Sequence, residues 1–149
     1  NLTSDSLLID LGCGDGRWLV AANKSTHCRC LGVDMDGERL KMAQESICNN
    51  GLQELVRVQR QDVFEFVKES DDINTADVII LYLFREAMVE MGALLQQRFL
   101  MDDQKNGFPP KSTQILSVGF ALTGWASVHE EKIHGIRVYL YSTTTDKDL

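Results

Sequence analysis

The chain has 149 residues, 22 Asp and Glu against 15 Lys and Arg, a formal net charge of −7, 44% hydrophobic and 25% charged residues. These values describe an ordinary globular chain with enough apolar content for a core, and they exclude disorder and a collagen-like or low-complexity architecture. An acidic balance without a basic run disfavours nucleic-acid binding, and no apolar run approaches the roughly 20 residues that a membrane-crossing helix needs.

The predicted elements alternate. Leu7-Leu8-Ile9-Asp10-Leu11 is a short apolar run ending in glycines and reads as a buried strand. Arg17–Lys24 reads as a helix, with Trp18, Ala21 and Ala22 available to share a face. Cys30-Leu31-Gly32-Val33 is a second strand ending at Asp34, and Asp36 is placed to cap the helix that follows. In that helix Leu40, Ala43 and Ile47 recur at helical spacing, and Asn49-Asn50-Gly51 stops it. Leu55–Gln59 reads as a third strand, Val63–Glu69 as a short helix and Ala76–Leu83 as a central parallel strand covered on both faces. Arg85–Leu100 carries a stripe of Met88, Met91, Leu94 or Leu95, and Phe99; Met101–Lys111 reads as a loop. Thr113–Leu122 is a fifth strand, and Ala126–Ile133 with Ile136–Ser142 form a hairpin turning at His134-Gly135. The order predicts an α/β fold: a Rossmann-like, doubly wound, mainly parallel seven-stranded sheet ending in an antiparallel hairpin. Ligands in such sheets sit at the carboxyl ends of the strands where strand order reverses, which here lies beside the first and fourth strands.

The four cysteines, Cys13, Cys28, Cys30 and Cys48, lack both the setting of a disulfide framework and the paired spacing of a metal site. They read as free thiols in an intracellular, reducing compartment, cytoplasm and mitochondrion being indistinguishable, and no metal ligand set is expected. Cys28 and Cys30 would share one face of a strand. His27, His129 and His134 share no spacing with each other or with a carboxylate and read as surface or turn residues.

Asp10-Leu11-Gly12-Cys13-Gly14-Asp15-Gly16 follows a strand and opens a helix, where free N–H groups and glycine backbone allow close approach of a ligand. The spacing Gly12-x-Gly14-x-Gly16 departs from the dinucleotide fingerprint, since Arg17 stands where its third glycine belongs. Asp34 ends the next strand about 20 residues after Gly12, where a carboxylate accepts from ribose hydroxyls; capping the following helix is the other role open to it. Asp62, after the third strand, can accept an adenine amino group beside the Val63 backbone or can cap its own helix. Asp10, an acid inside an apolar strand, needs a partner: the cationic amino group of an amino-acid-bearing ligand, the glycine-loop backbone, or both.

The set Leu8–Gly16, Val33-Asp34, Gln61-Asp62-Val63 and Asp77–Leu83 resembles the class I S-adenosylmethionine-dependent methyltransferases. Gly14-Asp15-Gly16-Arg17, Ile80-Leu81-Tyr82-Leu83-Phe84, Ile115–Phe120 with Trp125, and Gly135–Tyr141 are similar to the small protein-lysine methyltransferases. Animal members of that family act on mitochondrial proteins such as the ADP/ATP carrier and the ATP synthase c subunit. The resemblance implies one S-adenosylmethionine-binding domain over residues 1–149, without the upstream helix usual in that family, and a protein substrate with a target lysine. It implies that Asp10 and the Gly12–Gly16 loop, with Gly12, Cys13 and Gly14, hold the methionine part of the cofactor. Asp34, with Met35 beside it, would hold the ribose, and Asp62 and Val63 the adenine. Cys13 stands where the family often has Ser, and Asp34 where it often has Glu. Tyr82 falls at the acceptor-binding position of the fourth-strand motif; it would orient the amine or flank the methyl group, or else remain a rim aromatic. Trp125 would wall the acceptor pocket or pack in the core. The competing functions are an NAD-dependent oxidoreductase, disfavoured by the glycine spacing and the hairpin, and a non-catalytic cofactor-binding module.

Overall fold

The computed structural model describes residues 1–102 and 111–144. Seven strands form one sheet in the order β3-β2-β1-β4-β5-β7-β6. They are β1 (Leu7–Leu11), β2 (Arg29–Asp34), β3 (Val56–Arg60), β4 (Val78–Leu81), β5 (Gln114–Val118), β6 (His129–Ile133) and β7 (Ile136–Ser142). The helices are α1 (Arg17–Thr26), α2 (Gly37–Asn49), α3 (Val63–Glu69), α4 (Asp72–Thr75) and α5 (Arg85–Asp102). Strands β1 to β5 are parallel, and β7 runs antiparallel to both β5 and β6. This is the Rossmann-like, doubly wound architecture that the order of elements predicts. Strand order reverses between β1 and β4, whose register pairs Leu11 with Leu81.

The pleat sorts the core into two layers. Ile9, Leu11, Leu31, Val33, Ile79 and Leu81 face α3 and α5, where Phe66, Val67, Met88, Met91 and Leu95 close over them. Leu8, Cys30, Val56 and Ile80 face α1 and α2 and meet Leu19, Val20, Leu40 and Ile47. Asp10 shares the parity of Leu8 and therefore enters the α1–α2 side of the sheet. The predicted stop of α2 is observed: Asn50 caps it and Gly51 turns away at φ 67°. Asp36 caps its start, accepting from the Glu38 and Arg39 amides.

Several boundaries differ from those predicted. In α1 the buried residues are Leu19, Val20 and Asn23, and Ala21 is exposed. Asn23 tolerates burial because its side-chain amide donates to the Cys28 carbonyl at 2.7 Å. The short helix α4 has no periodic signal and escaped prediction. Strand β4 stops at Leu81 and not Leu83, level with the last residue of β1, so Tyr82 leaves the sheet. Strand β5 covers Gln114–Val118 and not Thr113–Leu122, because Gly119 turns the chain at φ 89°. Strand β6 begins at His129, three residues later than predicted. Helix α5 runs through Asp102, so Met101 and Asp102 are helical; residues 103–110 of the predicted loop lie outside the described residues. The terminal hairpin turns at His134-Gly135 with φ 47° and 86°, positive at both central positions as its tight turn requires.

Gly32 in β2 positions the glycine loop. A Cβ there would lie 2.6 Å from both the Cys13 Sγ and the Leu19 Cδ1. Gly32→Ala therefore forces the loop and the start of α1 away from β2. A cost of about 2 kcal/mol is expected, or about 5 °C in Tm for a domain of this size, read by thermal unfolding.

Candidate functional site

The glycine loop between β1 and α1 takes three left-handed positions, Gly12 at φ 87°, Gly14 at 54° and Gly16 at 75°. The carboxyl end of β2 holds it in place. Gly12 N and Cys13 N donate to the Val33 carbonyl at 2.8 and 3.2 Å, and Gly14 N donates to Asp34 Oδ2 at 2.8 Å. The second oxygen of Asp34, Oδ1, accepts from Asp36 N at 2.9 Å. Asp34 is thus a loop anchor as well as a candidate ligand residue; the helix cap belongs to Asp36. Each carboxylate oxygen has a second lone pair and accepts once more.

Beneath the loop lies a cavity of about 360 Å³, within the range of small-ligand sites, lined by Asp10, Gly12, Cys13, Gly14, Asp15, Arg17, Trp18, Arg39 and Tyr82. Asp10 is buried, and its Oδ1 has no hydrogen-bond partner. The loop backbone, one of the two partners predicted for it, does not supply that bond. Burial first, and then the charge of Asp34, push the Asp10 carboxyl up from 3.8 to about 7. Burial and the two nearby carboxylates raise the Cys13 thiol to about 12, so it stays protonated and is no nucleophile. Asp15 binds Arg17 through both oxygens, with Arg17 Nη2 at 2.6 Å and Nε at 3.0 Å, and that bond lowers its carboxyl below the usual value. The Arg39 guanidinium reaches across Gly14, 3.4 Å from where a Cβ would stand.

Tyr82 follows β4 directly and is 55% exposed. Its ring meets the Trp18 indole with centroids 5.3 Å apart and planes tilted by 35°. Trp125 sits elsewhere. Its Nε1 donates to the Gly92 carbonyl at 2.9 Å and its ring stands edge-on to buried Tyr141, so it packs in the core and does not wall this cavity.

The structure therefore brings Asp10, Gly12, Cys13, Gly14 and Tyr82 around one cavity, with Asp34 one hydrogen bond behind it. Met35, Asp62 and Val63 lie outside its lining, at the same carboxyl edge. Met35 is exposed and its carbonyl accepts from Arg60 Nε. Asp62 caps α3, its Oδ1 accepting from the amides of Phe64 and Glu65, and Val63 opens that helix. Sequence reasoning missed Arg17, Trp18 and Arg39 as cavity residues, while Asp15 belongs to the glycine loop it singled out. The start of α1 directly after the glycines is a signal for Arg17 and Trp18; nothing in the periodicity of α2 signals Arg39. Among the described residues no group of His, Cys, Asp and Glu could hold a metal ion, and no helix is long and apolar enough to cross a membrane. Cys13, Cys28 and Cys30 are buried free thiols; the Cys28 and Cys30 Sγ atoms are 3.6 Å apart, although Cys28 precedes β2, so the two do not share a strand face as predicted.

Residues 10–129 match the ANTKMT methyltransferase domain. A protein-lysine N-methyltransferase from Saccharolobus islandicus is 28% identical over 145 residues, covering 94% of this chain and 81% of that protein. A ribosomal protein L11 methyltransferase from Caldicellulosiruptor bescii is 25% identical over 134 residues, of which this chain spans 43% of the length. An RNA methyltransferase from Salinibacter ruber, solved in complex with S-adenosyl-L-homocysteine, superposes with a TM-score of 0.79 at 26% identity, covering 99% of this chain and 88% of that one.

The raised Asp10 carboxyl carries a signed pH dependence. The folded state holds the Asp10 proton to about pH 7 and the unfolded chain loses it near 3.8. Its contribution to stability is complete below pH 4, shrinks as the pH rises to 7 and is absent above. Urea unfolding of wild type against Asp10→Asn should show the difference between the two falling by at most roughly 4 kcal/mol across that window, and flat from pH 7 to 8.

Proposed function

The chain belongs to the ANTKMT methyltransferase domain family and is an S-adenosylmethionine-dependent methyltransferase; we propose that its acceptor is a lysine side chain of a protein and that the cavity under the glycine loop holds the methionine end of the cofactor. The observation that carries the site assignment is the orphaned Asp10. A buried carboxylate oxygen without a partner costs free energy, and a ligand's ammonium group offsets that cost by pairing with it. The glycine cradle supports the same reading, since Gly12 and Gly14 hold left-handed backbone that side chains strain, and a Cβ at Gly12 would stand 3.0 Å from Leu83 Cδ2. The lysine acceptor is supported by the archaeal lysine methyltransferase, which this chain matches over most of both lengths, and by an acidic balance suited to a basic segment.

Bound cofactor supplies the methyl group on a sulfonium, open to in-line displacement. The residues of the chain bind and orient. Asp10 pairs with the amino group of the cofactor. Asp34 holds the ribose hydroxyls with the lone pairs left over from its two backbone bonds, beside Met35. Asp62, whose Oδ1 caps α3, would accept from the adenine amino group with its other oxygen, beside the Val63 backbone. The acceptor amine must be neutral to attack, and withdrawing it from water lowers its pKa. The Tyr82 hydroxyl, at the carboxyl end of β4, would accept a hydrogen bond from that amine and so leave the nitrogen lone pair free for the methyl group.

Three measurements test this. S-adenosylhomocysteine at 100 times its Kd should add about 2.7 kcal/mol to stability, several degrees in Tm, while NADH adds nothing; no shift with S-adenosylhomocysteine would overturn the site. In turnover with methyl-labelled cofactor and a mixed protein substrate, acid hydrolysis should return labelled methyllysine. Label in methylarginine or in RNA would overturn the acceptor. Tyr82→Phe should lower kcat about tenfold, the effect of one lost orienting hydrogen bond, with cofactor Kd unchanged within about twofold.

A further inference from the structure

We propose that Trp18 and Tyr82 form a cation-selective aromatic wall of the cavity, which makes the protein bind the sulfonium of S-adenosylmethionine in preference to the neutral thioether of S-adenosylhomocysteine. The inference rests on the cofactor reading above and adds two residues and a selectivity to it.

Both rings line the same cavity as Asp10. They are held as a pair, 5.3 Å between centroids and tilted by 35°. Trp18 is partly buried and packs against the α1–α2 core layer, whereas Tyr82, 55% exposed, belongs to neither core layer. The Tyr82 ring lies between the Trp18 indole on α1 and Gly119 at the end of β5, where a Cβ would stand 4.0 Å from Tyr82 Cε2. The pair therefore joins α1, which follows β1, to the residue that follows β4, at the strand ends that line the cavity.

The cavity lining carries both signs, Asp10 and Asp15 with Arg17 and Arg39, so a preference for a cation has to come from the rings. Aromatic faces carry the negative part of the ring quadrupole and attract a cation within about 6 Å of the centroid. Asp10 lies in the same lining and Asp34 one bond behind it. Of the two lining arginines, Arg17 is engaged by both oxygens of Asp15, and Arg39 lies over Gly14. A thioether has no charge for the rings to attract, while a sulfonium has one. Methyl transfer converts the second into the first, so a wall of this kind holds the donor and lets the spent product go.

The readout is the ratio of the two dissociation constants, measured by titration calorimetry on wild type, Trp18→Leu, Tyr82→Leu and Trp18→Phe at one pH and salt concentration. The preference for S-adenosylmethionine over S-adenosylhomocysteine should fall about three- to tenfold in Trp18→Leu and Tyr82→Leu, and Trp18→Phe should keep most of it. A merely structural role for the rings weakens both ligands in parallel and leaves the ratio unmoved, and an unmoved ratio overturns the proposal. If Trp18→Leu fails to fold, Tyr82→Leu, a change at an exposed ring, decides the matter. Wild type binding neither ligand overturns the cofactor reading and this inference together; wild type binding both with the ratio unchanged in the variants overturns this inference alone.

Discussion

Three amides of the glycine loop hang from the last two residues of β2. The Val33 carbonyl takes those of Gly12 and Cys13, and the Asp34 carboxylate takes that of Gly14. Without these bonds a loop with three left-handed glycines would have no reason to hold one shape, because glycine loses more conformational freedom on ordering than any other residue. With them the loop is fixed above the strand ends, the start of α1 is aimed, and a cavity forms beneath. Gly32 makes the arrangement sterically possible, since the Cys13 thiol and Leu19 fill the space that a β2 side chain would take. Asp34 carries two duties at once, and its position between loop and ligand ties the shape of the cradle to the residue that would hold the ribose.

The same loop leaves Asp10 unsatisfied. The neighbouring amides are spent on β2, so the buried carboxylate is left with an orphaned oxygen and a raised pKa. Everything else on that side of the sheet is a conventional apolar layer of Leu8, Leu19, Leu40, Ile47 and Ile80. One uncompensated acid in such a layer is a cost that a cationic ligand relieves, and the nearby thiol is silent because the same burial and the same charges keep it protonated. Burial is the first cause of the raised pKa of both groups.

The far edge of the sheet is built differently. After β5 the chain turns at Gly119 and reaches β6 without a helix among the described residues. That passage is held by side chains: the Tyr141 hydroxyl accepts from Leu122 N at 2.8 Å, and the Trp125 indole is bonded to the Gly92 carbonyl on α5. A large aromatic that looks like a pocket wall from its position after β5 is thereby committed to joining the hairpin to the helix layer.

Local chemistry made the fold and the outline of the site legible in the sequence alone. The alternation of apolar runs with helical stripes, the Asp36 cap, the stop at Asn50-Gly51 and the hairpin at His134-Gly135 are encoded within a few residues and are observed where they were read. The glycine loop, Asp10, Asp34 and Tyr82 were legible too, because the carboxyl ends of β1, β2 and β4 are adjacent in any sheet of this order. What the tertiary structure alone decided depends on contacts between residues far apart in the chain. The ladder of β1 set where β4 ends and so released Tyr82. The Gly92 carbonyl, from another element, drew Trp125 into the core. Asp34 was spent on a loop 20 residues away, and the space left by Gly32 settled how close that loop could lie. Trp18 came to face Tyr82 because the loop aims α1. A helical wheel places Trp18 on a face of α1, but only the packed sheet decides what stands opposite.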